Sequence, residues 1–130
     1  MFWKKEKKNI GKIGEELAVK YLKKKDFKII QLNYQNKLGR RLGEIDIIAK
    51  NNKIIIFIEV KTRSIIAGTN ILPEENITRD KLRKLQKIAQ NYIRENNLWE
   101  FDYRFDAVSV LLNRETEEVL EIRHLENIFY

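Results

Sequence analysis

Two acids and a lysine fall close together in the stretch 43–63, "GEIDIIAKNNKIIIFIEVKTR": Asp46, Glu59 and Lys61. Asp46 interrupts one apolar segment, and Glu59 and Lys61 follow directly on another, Ile54 to Ile58. A carboxylate buried alone is costly, and two facing carboxylates also repel. Such a group persists when a cation sits against it. Lys61 is one candidate cation, and a hard divalent metal is another. Mg²⁺ typically takes one or two protein carboxylates and keeps its remaining positions for water and phosphate. With Mg²⁺ or Mn²⁺ held by the acids, the trio suits phosphodiester cleavage: the ion polarises the phosphate and lowers the pKa of a water, while Lys61 steers that water or steadies developing charge. The same three residues would also serve as an ion-paired trio at a sheet edge, with Lys61 guarding against edge-to-edge pairing.

The elements that must position these groups are two strands, 44–49 and 53–61, around Asn51-Asn52. Asn tolerates positive φ, so this pair suits a two-residue hairpin loop. That loop sets Asp46 opposite Phe57 and Glu44 opposite Glu59. Side chains alternate along a strand, so Glu44, Asp46, Glu59 and Lys61 share one face. Asp46 and Glu59 become diagonal neighbours, about 7–8 Å apart at the backbone. A register slip of one residue would send Asp46 to the other face. The strand 53–61 is apolar on both faces for most of its length and is expected at the centre of a sheet.

Before the hairpin, Ile10, Ile13, Leu17, Tyr21 and Leu22 recur at helical spacing, which predicts an amphipathic helix over 10–25. Glu15 lies at the edge of its apolar stripe, and Glu16 on its solvent side. "FKIIQLNY" (27–34) reads as a strand and "QNKLGRR" as a polar loop. After the hairpin, 64–77 is irregular. Thr78 is a candidate N-cap for a helix over 78–96, and strands follow over 103–112 and 118–123 on either side of a turn. Helix, three strands, helix, two strands predicts one α/β domain spanning 1–130: a central mixed sheet of about five strands flanked by helices.

The chain of 130 residues has no Cys, which excludes disulfides, thiolate catalysis and Cys-type zinc sites. No apolar run reaches membrane-spanning length, and the charged start lacks the apolar core of an export signal, so a cytoplasmic protein without a membrane partner is expected. The net charge of +7 is uneven. Residues 1–65 carry 17 basic and 7 acidic side chains, a net +10, and residues 66–130 carry 9 and 12, a net −3. A basic half points to a polyanionic partner, and a solvated lysine-rich surface is the plainer alternative. Arg63 suits either bidentate phosphate binding or a solvated strand end. Arg40 and Arg41, in the loop before "GEID", suit either backbone tracking or ordinary loop charge. The run Arg79 to Lys87 reads as the solvated face of its helix. Asp106 pairs with Arg104, two residues away on the same face, as a structural pair. His124, the one histidine, has no evident partner.

Asp46 followed across a short hairpin by Glu59-x-Lys61 resembles the PD-(D/E)xK nuclease superfamily, with Ile45 where a Pro usually precedes the Asp. More closely, the chain resembles the YraN-like family of small bacterial proteins. "GEELAVKYL" at 14–22, "GEIDIIA" at 43–49, "FIEVKTRS" at 57–64, "KLRKLQKIAQNYI" at 81–93, "RFDAVSV" at 104–110 and "HLENIF" at 124–129 carry that likeness, the second and third most specifically. The resemblance implies a restriction-endonuclease-like fold similar to archaeal Holliday-junction resolvases, and a homodimer. It further implies Asp46, Glu59 and the Val60 carbonyl as metal ligands, Lys61 as the catalytic lysine, and Glu15 as an upstream acid completing the site. Asp26-Phe27 replaces the family's frequent Gly-aromatic pair at a turn. The expected function is a Mg²⁺- or Mn²⁺-dependent endonuclease acting on DNA with a branch or flap. The rivals are a non-catalytic nucleic-acid-binding module that keeps the nuclease fold, and an adaptor that dimerises through its sheet edge.

Overall fold

The computed structural model describes residues 9–35, 43–66, 68 and 78–128. Arg40, Arg41 and residues 69–77 of the stretch 64–77 expected to be irregular lie outside the described residues. Helix α1 (Ile10–Lys24) starts where the Asn9 side chain accepts a hydrogen bond from the Gly11 N–H at 3.0 Å. It stops in a reverse turn in which Phe27 N–H donates to the Leu22 carbonyl and Asp26 N–H to that of Lys23. Asp26 takes the left-handed conformation such a turn requires, with φ 66°. That is why glycine is favoured at such a position. The helix buries Gly14, Ala18 and Leu22, one stripe at i, i+4, i+8.

Strands β1 (Lys28–Gln35), β2 (Glu44–Asn51), β3 (Ile54–Ile65), β4 (Asp102–Asn113) and β5 (Val119–Leu125) form one sheet in chain order. Every neighbour is antiparallel except β3 and β4, which run parallel. The parallel pair needs a crossover, and helix α2 (Arg79–Glu95) supplies it, capped by the Thr78 hydroxyl accepting from Lys81 N–H. The order of elements and the mixed direction of the sheet agree with those expected from the sequence.

The sheet buries both faces. Ile48, Ile55, Phe57 and Phe105 pack against Leu85, Ile88, Ala89, Tyr92 and Ile93 of α2. Ile47, Ala49, Ile56, Ile58, Val108 and Val110 pack with Ala18, Leu22 and Phe27 on the α1 side. β3 feeds both cores, as its two-faced apolar sequence requires. On the α1 side the sheet also buries a carboxylate, Asp106, at 0% exposure. It accepts from Arg104 Nε at 3.0 Å and Asn127 N–H at 2.9 Å, and lies 2.8 Å from His124 Nε2. The pairing with Arg104 is as expected. His124 does have a partner, brought to Asp106 by the β4–β5 pairing, and its ring also meets Tyr21 and Phe27 edge-on.

Candidate metal centre

The hairpin of β2 and β3 differs from expectation by one loop position. Its last pair is Asn51 with Ile54, so the loop is Asn52-Lys53, and Asn52 carries the positive φ of 56°. Moving the loop by one residue moves each partner by two: Ile48, not Asp46, lies opposite Phe57. Two is the pleat period, so the shift by itself leaves the paired side chains, 47–51 and 54–58, on their expected faces.

The ladder between β2 and β3 ends at Ile47 and Ile58, one residue short of Asp46. There the pleat of β2 turns over. Ile47 packs toward α1, whereas Ile45 packs toward α2. β1 turns at the same level: Leu32, opposite Ile47, faces α1, and Tyr34, opposite Ile45, joins the α2 core. Asn33 between them has φ 52°. β2 thus leaves β3 at Asp46. The Val60 N–H of β3 then donates to Asp46 Oδ2 at 2.8 Å, a carboxylate standing where a strand carbonyl would otherwise accept.

Four acids meet at this parting. Glu15 reaches it from α1, Glu44 and Asp46 from β2, and Glu59 from β3. Oxygens of Glu15, Glu44 and Asp46 all lie within 4.8 Å of one another. Glu59, 8% exposed, lines a cleft of about 530 Å³ with Glu44, Asp46, Lys81 and Lys84. Its Oε1 pairs with Lys81 Nζ at 2.5 Å and with Lys61 Nζ at 3.6 Å.

The electrostatics follow from this crowding. Burial, and after it the Glu59 charge, push the Asp46 carboxyl up to about 7, against the pull of its bond from Val60. Glu15 is raised by burial, then by Glu44 and Glu59. Lys61 is lowered by burial and by the adjacent Lys81. Burial is also the largest single influence on Lys81 and acts in the same direction, but the bond to Glu59, the contact with Lys61 and the charges of Glu59 and Asp46 together exceed it, and its pKa rises. Negative charge is therefore held here against repulsion, the condition under which a cation binds. The donors are all carboxylate oxygens, the hard ligands that suit Mg²⁺ or Mn²⁺. Glu15 Oε1 is buried and has no hydrogen-bond partner. The acidic triad could bind a metal ion, and the residues fit one.

Of the residues singled out from the sequence, Glu15, Asp46, Glu59 and Lys61 come to one end of the β2–β3 hairpin. Arg63 stands two residues beyond Lys61, its guanidinium donating to the Thr62 carbonyl at 3.0 Å. Glu44 joins the triad, whereas the sequence reading placed it on the acids' face without a role. Its parity with Asp46 was the available signal. Lys81 was read as part of a solvated helix face, and in the structure it is bonded to Glu59.

A five-stranded mixed sheet with a helix against each face, opened at its centre around acids, defines an α/β domain consistent with the restriction-endonuclease-like fold. Among the described residues no helix is long and apolar enough to cross a membrane. The chain belongs to the uncharacterised protein family UPF0102, the YraN-like family, whose model matches residues 14–110. A UPF0102 protein of Alkaliphilus oremlandii is 44% identical over 124 residues, covering 94% of this chain and 98% of the relative. One from Caldanaerobacter subterraneus is 40% identical over 123 residues, covering 95% and 96%. Another, from Clostridium beijerinckii, is 40% identical over 126 residues, covering 97% of each chain.

Proposed function

We propose that this protein is a divalent-metal-dependent nuclease acting on DNA, with a preference for branched or flapped structures. The observation that carries the reading is the meeting of Glu15, Glu44, Asp46 and Glu59 beside Lys61 where β2 leaves β3. Asp46, Glu59 and the Val60 carbonyl would hold the ion, with Glu15 closing the site from α1. A bound Mg²⁺ or Mn²⁺ supplies Lewis-acid polarisation of the phosphate. The Val60 N–H holds one oxygen of Asp46, and the other would serve as the ligand. The Lys61 ammonium, its pKa lowered, is suited to orient an attacking water or to donate a hydrogen bond to charge developing on the phosphate. Arg63, on the same strand, would bind a neighbouring phosphate, and the loop arginines Arg40 and Arg41 precede Glu44 and Asp46 in sequence. The net +10 of residues 1–65 favours a polyanion.

Cleavage of labelled linear, nicked, flap and four-way DNA with Mg²⁺ or Mn²⁺ tests the proposal. Wild-type protein cuts and Asp46→Ala does not; equal cutting by both, or none by either, removes it. The Lys81–Glu59 ion pair favours one second reading, a nucleic-acid-binding module in which ammonium groups neutralise the acids permanently. That reading predicts salt-sensitive DNA binding with no dependence on divalent metal.

A further inference from the structure

Among the described residues Glu59 is the one acid of the site shown bonded to lysine, and both its lysines address the same oxygen, Oε1. They differ in how they are held. Lys61 stands on β3 beside Glu59, its side chain 19% exposed. Lys81 comes from the first turn of α2, across the cleft, with its side chain 41% exposed. Two ammonium groups and a divalent ion on one carboxylate would be a strongly repulsive arrangement. The less enclosed ammonium, on a flexible four-carbon stem, is the one that can leave. Lys81 lines the cleft together with Lys84, Glu44 and Asp46, so an ammonium leaving Glu59 would stay within that cleft.

We propose that Lys81 is an exchangeable counter-cation: it neutralises Glu59 until a divalent ion arrives, then transfers its charge to a phosphate of the nucleic acid in the cleft. The inference rests on the metal-dependent reading above. It adds a group from α2, so that a phosphodiester strand would lie between the acids of β2 and β3 and the first turns of that helix. It also couples the two ligands. Metal releases the lysine that phosphate needs, so each ligand strengthens the binding of the other.

The test compares wild type, Lys81→Met and Lys84→Met. Lys81→Gln is a second variant that keeps a hydrogen-bond donor toward Glu59 without the charge. Mn²⁺ binding is followed by calorimetry, and binding of a labelled four-way DNA by anisotropy in Ca²⁺ over a range of KCl. Removing the competing ammonium makes Mn²⁺ bind at least about threefold more tightly in both Lys81 variants. The same variants lose DNA affinity, and their salt dependence falls by about one phosphate contact. Lys84→Met changes only the DNA arm. Unchanged or weaker Mn²⁺ binding in the Lys81 variants, or an unchanged salt slope, overturns the inference and leaves the metal-dependent reading standing. Absence of Mn²⁺ binding in wild type and variants alike removes the metal site, and the inference with it.

Discussion

Asp46 holds its carboxylate partly buried at the wall of the cleft, bonded to the Val60 N–H and surrounded by other acids. Its pKa rises from 3.8 to about 7 on folding. A carboxylate raised in this way binds its proton more tightly folded than unfolded. Its contribution is therefore complete below the unfolded value and is lost as pH climbs toward about 7, on the order of 4 kcal/mol over that window. Denaturant unfolding in chelator should show stability falling from pH 5 to pH 8. Asp46→Asn, which keeps an acceptor for Val60, should flatten that fall and be more stable than wild type at the upper end. Metal binding must displace the same proton, so Mn²⁺ affinity should rise across the same pH range in calorimetry. Asp106 behaves in the opposite way. Burial would raise it, but His124, Arg104 and Asn127 hold it below its ordinary value. Asp106→Ala takes the buried partner from Arg104 and His124, leaving Arg104 only Glu126 at 3.8 Å, and should cost about 3–5 kcal/mol in unfolding experiments. The Arg104 partner was legible because two residues on one strand share a face. His124 was not, because the pairing of β4 with β5 lies outside any local pattern.

Helix α1 reaches the site because it can touch β3. A methyl group on Gly14 would stand 1.8 Å from Thr62 Oγ1, so no side chain fits there without moving the helix. Gly14→Ala should destabilise the fold by about 1–3 kcal/mol and withdraw Glu15, weakening Mn²⁺ binding beyond what the lost stability explains. At the other end of α1, Asp26 bears both a left-handed backbone and a negative charge at a helix C-terminus. Asp26→Gly should raise stability by about 0.5–1 kcal/mol in a thermal melt and leave metal binding unchanged. Helical spacing marked α1, the Thr78 cap marked α2, and apolar runs bounded by turn residues marked the strands. The hairpin loop was misplaced by one residue because two adjacent asparagines fit the turn equally well. The break in the pleat at Asp46 was not legible. It depends on Asn33 and Ile45 acting across two strands, which no single segment records.

Across the whole molecule, acids sit where the central sheet opens and excess positive charge lies in residues 1–65. The clustering of Asp46, Glu59 and Lys61 could be anticipated because all three belong to one hairpin. Lys81 could not: it reaches Glu59 only through the crossover that makes β3 and β4 parallel. This distribution separates two effects of salt. Binding of DNA should weaken steeply with added KCl, while Mn²⁺ binding among the closely grouped, partly buried acids should respond less. The most direct measurement is an anomalous difference map from a crystal of the protein soaked in MnCl₂. A peak in contact with Asp46 and Glu59, with the Lys81 side chain turned away from Glu59, is the predicted result. A map with no peak among these acids, while Lys81 still holds Glu59, would contradict the account.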